Sequence, residues 1–163
     1  MKYILPAMIA CALFGGCTVT PIKISAPFIE AEYQPFIGNG SSTITGSAFM
    51  KTLGGDVKLA AGNQIELTPA TAYTRERIDR RSQVGLFQQL ESSDPRLAQY
   101  VRTTIADAQG YFEFKNIPSG DYILSCSIDW QYYNGKEMAF AGGRPVVYVL
   151  VARDETKKVI LTK

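Results

Sequence analysis

Between Thr104 and Leu124 two apolar-alternating runs are split by turn residues, which leaves little room for anything but paired β structure. The turn from Asp107 to Gly110 opens the first run. Phe112 and Phe114 then fall on one face of a strand, with Tyr111, Glu113 and Lys115 on the other. Asn116-Ile117-Pro118-Ser119-Gly120 breaks the ladder, because proline lacks a donor and glycine permits positive φ. The chain resumes with Tyr122, Leu124, Cys126, Ile128 and Trp130 on one face, and Ser125, Ser127, Asp129 and Gln131 on the other. A helix would scatter those five apolar residues all round. A period of two reads as a half-buried antiparallel strand.

The spacing Thr-x-x-Asp-x-x-Gly-x-Phe-x-Phe-x-x-Ile-Pro-x-Gly-x-Tyr-x-Leu resembles the signature of carboxypeptidase regulatory-like domains, which belong to the prealbumin (transthyretin-like) β-sandwiches. It is carried by Thr104, Asp107, Gly110, Phe112, Phe114, Ile117, Pro118, Gly120, Tyr122 and Leu124. The resemblance implies an all-β, prealbumin-like (Ig-like) antiparallel sandwich of about seven strands over residues 43–163; the spacing of its apolar residues, not the resemblance, makes the stretch near residues 75–100 a helical insertion. Those positions are core and turn positions, so the motif speaks to fold and not to function. The regulatory domain of carboxypeptidases is itself the non-catalytic part.

Composition narrows the function classes. A chain of 163 residues, 46% hydrophobic and 20% charged, is ordinary for one domain with a short leader. Without residues 1–16 it carries 16 basic and 15 acidic residues, too balanced for a nucleic-acid binder. There is no histidine. That removes the commonest general base and zinc ligand, and it rules out Ser/His and Cys/His arrangements. No Cys-x-x-Cys or metal-spaced acidic cluster is present. The expectation is a protein that is not an enzyme, with no cofactor and no metal.

The first residues point to the cell envelope. Met1-Lys2, an apolar run from Tyr3 to Phe14 and small residues before Cys17 describe a secretory signal over residues 1–16, too short to span a bilayer as a helix. Leu13-Phe14-Gly15-Gly16-Cys17 resembles the bacterial lipobox, with Phe14 where a smaller aliphatic is usual, and implies a diacylated Cys17. Cys11 offers a competing site with a shorter apolar run. The alternative is an ordinary signal peptide that leaves Cys17 a plain thiol. By the same resemblance, Thr18 in place of aspartate implies outer-membrane delivery, with the domain facing the periplasm or the surface. A multiply acylated cysteine stays in the membrane. Cys126 is then left without a partner and reads as a buried structural thiol.

Residues 17–42, with prolines at 21, 27 and 35, read as a tether, although their many apolar residues suit packing on the domain or on a partner. Strands are expected at Thr43 to Lys51, around Val57 and Leu59, and around Ile65 and Leu67, ending at Pro69. Ile78, Leu86, Phe87 and Leu90 share a face at helical spacing, and Asp94-Pro95 suits the start of a second helical turn. Asn134-Gly135 signals a hairpin. The continuous apolar run Val146 to Val151 reads as a central strand buried on both sides, and Lys157 to Thr162 as the last strand.

Two clusters are candidate binding residues. Tyr132 and Tyr133, beside the Asn134-Gly135 turn, suit stacking on sugar rings or anchoring a protein. Trp130 shares the inward face and is expected in the core. Arg75, Arg77, Arg80 and Arg81 suit phosphate headgroups or an acidic partner, or form a solvated helix face. The expected function is a lipid-anchored, non-catalytic binding or assembly module with an envelope protein as partner. An outer-membrane lipoprotein of type VI secretion has a similar layout. The alternative is a carbohydrate-binding module using the loop aromatics.

Overall fold

β1 (Ser42–Lys51) is shared by three neighbours and seeds one layer of a sandwich. This computed structural model describes residues 21–84 and 89–163. β2 (Val57–Leu59) returns antiparallel along the last residues of β1, and β5 (Tyr111–Ile117) lies antiparallel along its first part. The opposite layer runs β4–β3–β6–β9, wholly antiparallel: β3 (Gln64–Pro69), β4 (Arg102–Ile105), β6 (Gly120–Cys126) and β9 (Val146–Val151). β10 (Thr156–Leu161) pairs parallel with β1. The turn after β9 carries the chain to the other layer instead of folding it back as a hairpin. Asp154 takes positive φ there, and the Ser42 hydroxyl donates to the Ala152 carbonyl across the crossing.

The expected alternation is what fills the space between the layers. Ile44, Ala48, Phe112, Phe114 and Leu161 face Ile65, Leu67, Tyr122, Leu124 and Val149, all buried. Each large side chain so buried contributes about 1.5–3 kcal/mol. The Asp107 carboxylate accepts from the amides of Gln109 and Tyr111, and Gly110 holds φ 75°, so the turn before β5 fixes its register.

Seven strands make the two main sheets, β10–β1–β5 and β4–β3–β6–β9. Short β2 and a separate hairpin bring the total among the described residues to ten. The hairpin arises because the period-two run from Tyr122 is two strands and not one. It breaks at Ser127, whose carbonyl accepts from the Asn63 amide, and β7 (Ile128–Tyr133) leaves the sheet to pair with β8 (Met138–Gly143).

Two other expectations are corrected. β9 is an edge strand, not a central one; its outward Tyr148 and Leu150 are exposed, so the apolar run is buried on one side only. The expected helical insertion is present, among the described residues, as α1 (Ala72–Gln83), capped reciprocally by Thr71 and Thr74, and as a 3₁₀ turn at Pro95–Tyr100, where the Asp94 carboxylate caps Arg96 N. Leu86 and Phe87 lie outside the described residues. Leu90 sits in a parallel bridge with Ile22 and not on a helix face.

From Pro21 onward the segment expected as a tether is laid against the insertion. Ile22 N donates to the Gln89 carbonyl at 2.7 Å, and Phe28 stacks on Tyr33 with ring centroids 4.5 Å apart. Tyr33 is fully buried. Phe28, Tyr33 and Phe36 thus find partners within the chain, Phe36 against Tyr122, while Ile29 and Ile37 stay exposed.

Candidate functional site

Among the described residues the two most exposed aromatic side chains, Phe140 and Tyr133, both lie on the β7–β8 hairpin. Its four-residue connection is held by Asn134, whose side-chain oxygen accepts from the amides of Lys136 and Glu137, each at 2.9 Å. Tyr133 pairs with Met138, Gln131 with Phe140, and Trp130 with Ala141. Strand parity therefore puts Tyr133, Gln131, Met138 and Phe140 on one face and Trp130, Tyr132, Ala139 and Ala141 on the other. Trp130 packs half-buried against the core. Tyr133 is 65% exposed, Phe140 76% and Tyr132 46%. Tyr132 and Tyr133, grouped by sequence, point to opposite sides and cannot form one platform. The companions of Tyr133 are Phe140 and Met138, which were missed. Their signal was the alternation Met138-Ala139-Phe140-Ala141 across a hairpin turn.

The exposed hairpin face is continuous, by parity, with the outer face of the β4–β3–β6–β9 sheet. Cys126 and Ile128 are both in the core, so Ser125, Ser127, Asp129, Gln131 and Tyr133 all lie on the far side of the run. On that far side Ser125 and Ile123 are nonetheless buried, because the insertion covers them.

Under the insertion lies a cleft of about 620 Å³. Its floor includes Glu66, Thr68 and Ser125, and α1 supplies Arg77, Ile78 and Arg81. Arg144, just past β8, closes one end; it pairs with Glu66 and donates to Ser125 Oγ at 2.8 Å. Asp94, also at the cleft, is gripped by Arg96 at 2.8 Å, and this hydrogen bond holds its carboxyl below the usual range. A neighbouring cleft of about 500 Å³ shares Arg81 and Arg144 and adds Asp79 and Lys163.

The four helix arginines do not act as one patch. Arg75 sits over the Tyr148 ring at 5.0 Å and near Asp121 at 3.8 Å. Arg80 pairs with Glu76. Arg77 and Arg81, one turn apart, face the cleft together. Arg77 donates to the Glu91 carbonyl at 3.1 Å, and no carboxylate pairs with Arg81.

Cys17 lies outside the described residues. Cys126 is a free thiol in the core, and burial pushes its pKa up to about 11. Among the described residues no cluster of three acidic or cysteine side chains is placed to hold a metal.

No protein-family model matches the chain, and no curated protein sequence matches it. Solved structures do. A crystal structure described as that of a candidate carbohydrate-binding protein from Pseudomonas aeruginosa superposes with a TM-score of 0.78 at 27% identity, covering 85% of this chain and 99% of that one. The major pilin subunit BcpA of Bacillus cereus aligns at a TM-score of 0.43 and 13% identity, over 76% of this chain and 29% of its own. The chain is thus a mostly antiparallel β-sandwich with a short helical insertion and immunoglobulin- or prealbumin-like neighbours. These comparisons assign no family.

Proposed function

We propose that this protein is a non-catalytic carbohydrate-binding module of the cell envelope. The observation that carries the reading is the uncovered hairpin face of Tyr133, Phe140 and Met138, on a sandwich whose structural neighbour is described as a candidate carbohydrate-binding protein. Flat aromatic faces beside polar side chains such as Gln131 suit the apolar side of a sugar ring. The expected acylation of Cys17 and outer-membrane location belong to the same proposal, since an anchored module would hold glycan close to the envelope.

The test is a glycan array followed by calorimetry on the leading glycan. Tyr133→Ala with Phe140→Ala is expected to weaken binding at least about tenfold, as loss of central aromatic anchors does. Binding unchanged by this pair would remove the hairpin as the site.

A second reading, an assembly subunit docking an envelope protein, rests on the apolar character of Met138 and Phe140 on the same face. It is favoured if full-length protein extracted from membranes retains a stoichiometric protein partner that the double variant loses.

A further inference from the structure

We infer that the cleft beneath α1 is an anion-recognising subsite for a carboxylated sugar, the uronate unit of an acidic glycan. The inference rests on the carbohydrate reading above and names the class of ligand. The cleft volume of about 620 Å³ lies within the range of small-molecule sites. Its two acids are already neutralised: Glu66 by Arg144, and Asp94 by Arg96. All 15 acidic residues of the chain lie among the described residues, and none forms an ion pair with Arg77 or Arg81. Two guanidinium groups one helical turn apart are therefore left uncompensated at the cleft wall. Guanidinium forks match a carboxylate in geometry and in charge. Opposite them, Thr68 and the hydroxyl of Ser125 offer hydrogen bonds suited to sugar hydroxyls, and Ile78 and Leu97 offer apolar wall.

The cleft and the hairpin platform share one side of the run through β6 and β7. Ser125 and Tyr133 are eight positions apart, about 26 Å along an extended chain. The acidic unit in the cleft and the ring stacked on the hairpin are thus assigned to different residues of an oligosaccharide.

The experiment is calorimetry of the full chain with tetragalacturonate and with its carboxyl-reduced, neutral counterpart, at low and high salt. The acidic tetramer is expected to bind about tenfold tighter than the neutral one, with a preference that shrinks as salt screens it. Arg81 is exposed and carries no ion pair, so Arg81→Ala is expected to fold normally. That variant should erase the preference, and Arg81→Lys should restore part of it. Equal affinity for both tetramers, or a preference that survives Arg81→Ala, overturns the inference and leaves the carbohydrate reading standing. Binding of neither tetramer, together with a blank glycan array, removes both.

Discussion

The hydroxyl of Tyr33 lies 2.7 Å from Thr71 Oγ1, and both residues are buried. One belongs to the segment before the sandwich; the other is the N-cap of α1. The contact locks the N-terminal segment to the start of the insertion, with Phe28 and Tyr100 packed on the Tyr33 ring. Tyr33→Phe is expected to cost about 1 kcal/mol, because Thr71 keeps its bonds to Thr74 and is not orphaned. Tyr33→Ala should cost about 3 kcal/mol through the cavity it leaves. Urea denaturation of the two variants checks the order; equal losses would mean that the ring contributes nothing beyond its hydroxyl.

Tyr122 gives the domain an alkaline limit. Its ring is buried in the core and its hydroxyl donates to the Pro118 carbonyl at 2.8 Å. Burial pushes the phenol from 10.0 up to about 12. The folded state therefore holds its proton at pH values where the unfolded chain has lost it. The stability this confers is fully present below pH 10 and is lost as the pH climbs toward 12, by about 3 kcal/mol for this group. Cys126, pushed from 9.0 to about 11, adds the same sign over a slightly lower window. Unfolding midpoints recorded across this range should fall less steeply in Tyr122→Phe than in the parent, and superimposable profiles would refute the assignment.

Gly46 marks a tight approach inside the first layer. It pairs with Val159 on one side and Phe112 on the other. A Cβ added there would stand 2.2 Å from the Val159 carbonyl oxygen and 2.6 Å from Phe112 Cζ. Backbone and ring would both have to move, so Gly46→Ala should destabilise by about 2 kcal/mol. Ser47→Ala, on the exposed face one residue on, is the control and should be near neutral. Equal midpoints for the two variants would show that β1 yields easily at Gly46.

What the sequence made legible was local. Period-two alternation with turn residues located β1, β3, β5, β6 and the hairpin, because alternation and turn chemistry act over a few residues. What stayed hidden depended on contacts between distant parts. Nothing near Leu90 announces that its partner is Ile22. Ser125 alternates as a solvent-facing residue should, yet it is buried because an insertion some thirty positions earlier folds over it and Arg144 reaches its hydroxyl. Val146 to Val151 reads as doubly buried because it is continuously apolar, yet β9 lies at the sheet edge, where Tyr148 and Leu150 stay exposed and Tyr148 meets the Arg75 guanidinium, a contact no apolar scale registers. The candidate site divides in the same way. The hairpin turn and its two tyrosines were visible, Phe140 and Met138 were not, and the opposite facing of Tyr132 and Tyr133 follows from adjacency alone. The cleft needed the fold.

Glu76 is the fastening of the segment that covers the insertion. Its carboxylate accepts from Ser25 N at 3.0 Å and from Ala26 N at 2.7 Å, while Arg80 holds it from the next turn of α1. The backbone amides at Ala26 and Ser25 lower its pKa below the ordinary 4.5. The clasp is therefore complete above about that pH and is lost as the pH falls through the depressed folded value. Glu76→Ala removes the acceptor from both amides. Hydrogen exchange at Ser25 and Ala26 should become fast in this variant, while amides of β1 and β6, bonded within the sheets, keep their protection. Slow exchange at Ser25 and Ala26 in Glu76→Ala would show that the Ile22 bridge and the Phe28–Tyr33 stack hold the segment unaided. Loss of protection in β1 as well would show that the segment and the sandwich unfold as one unit.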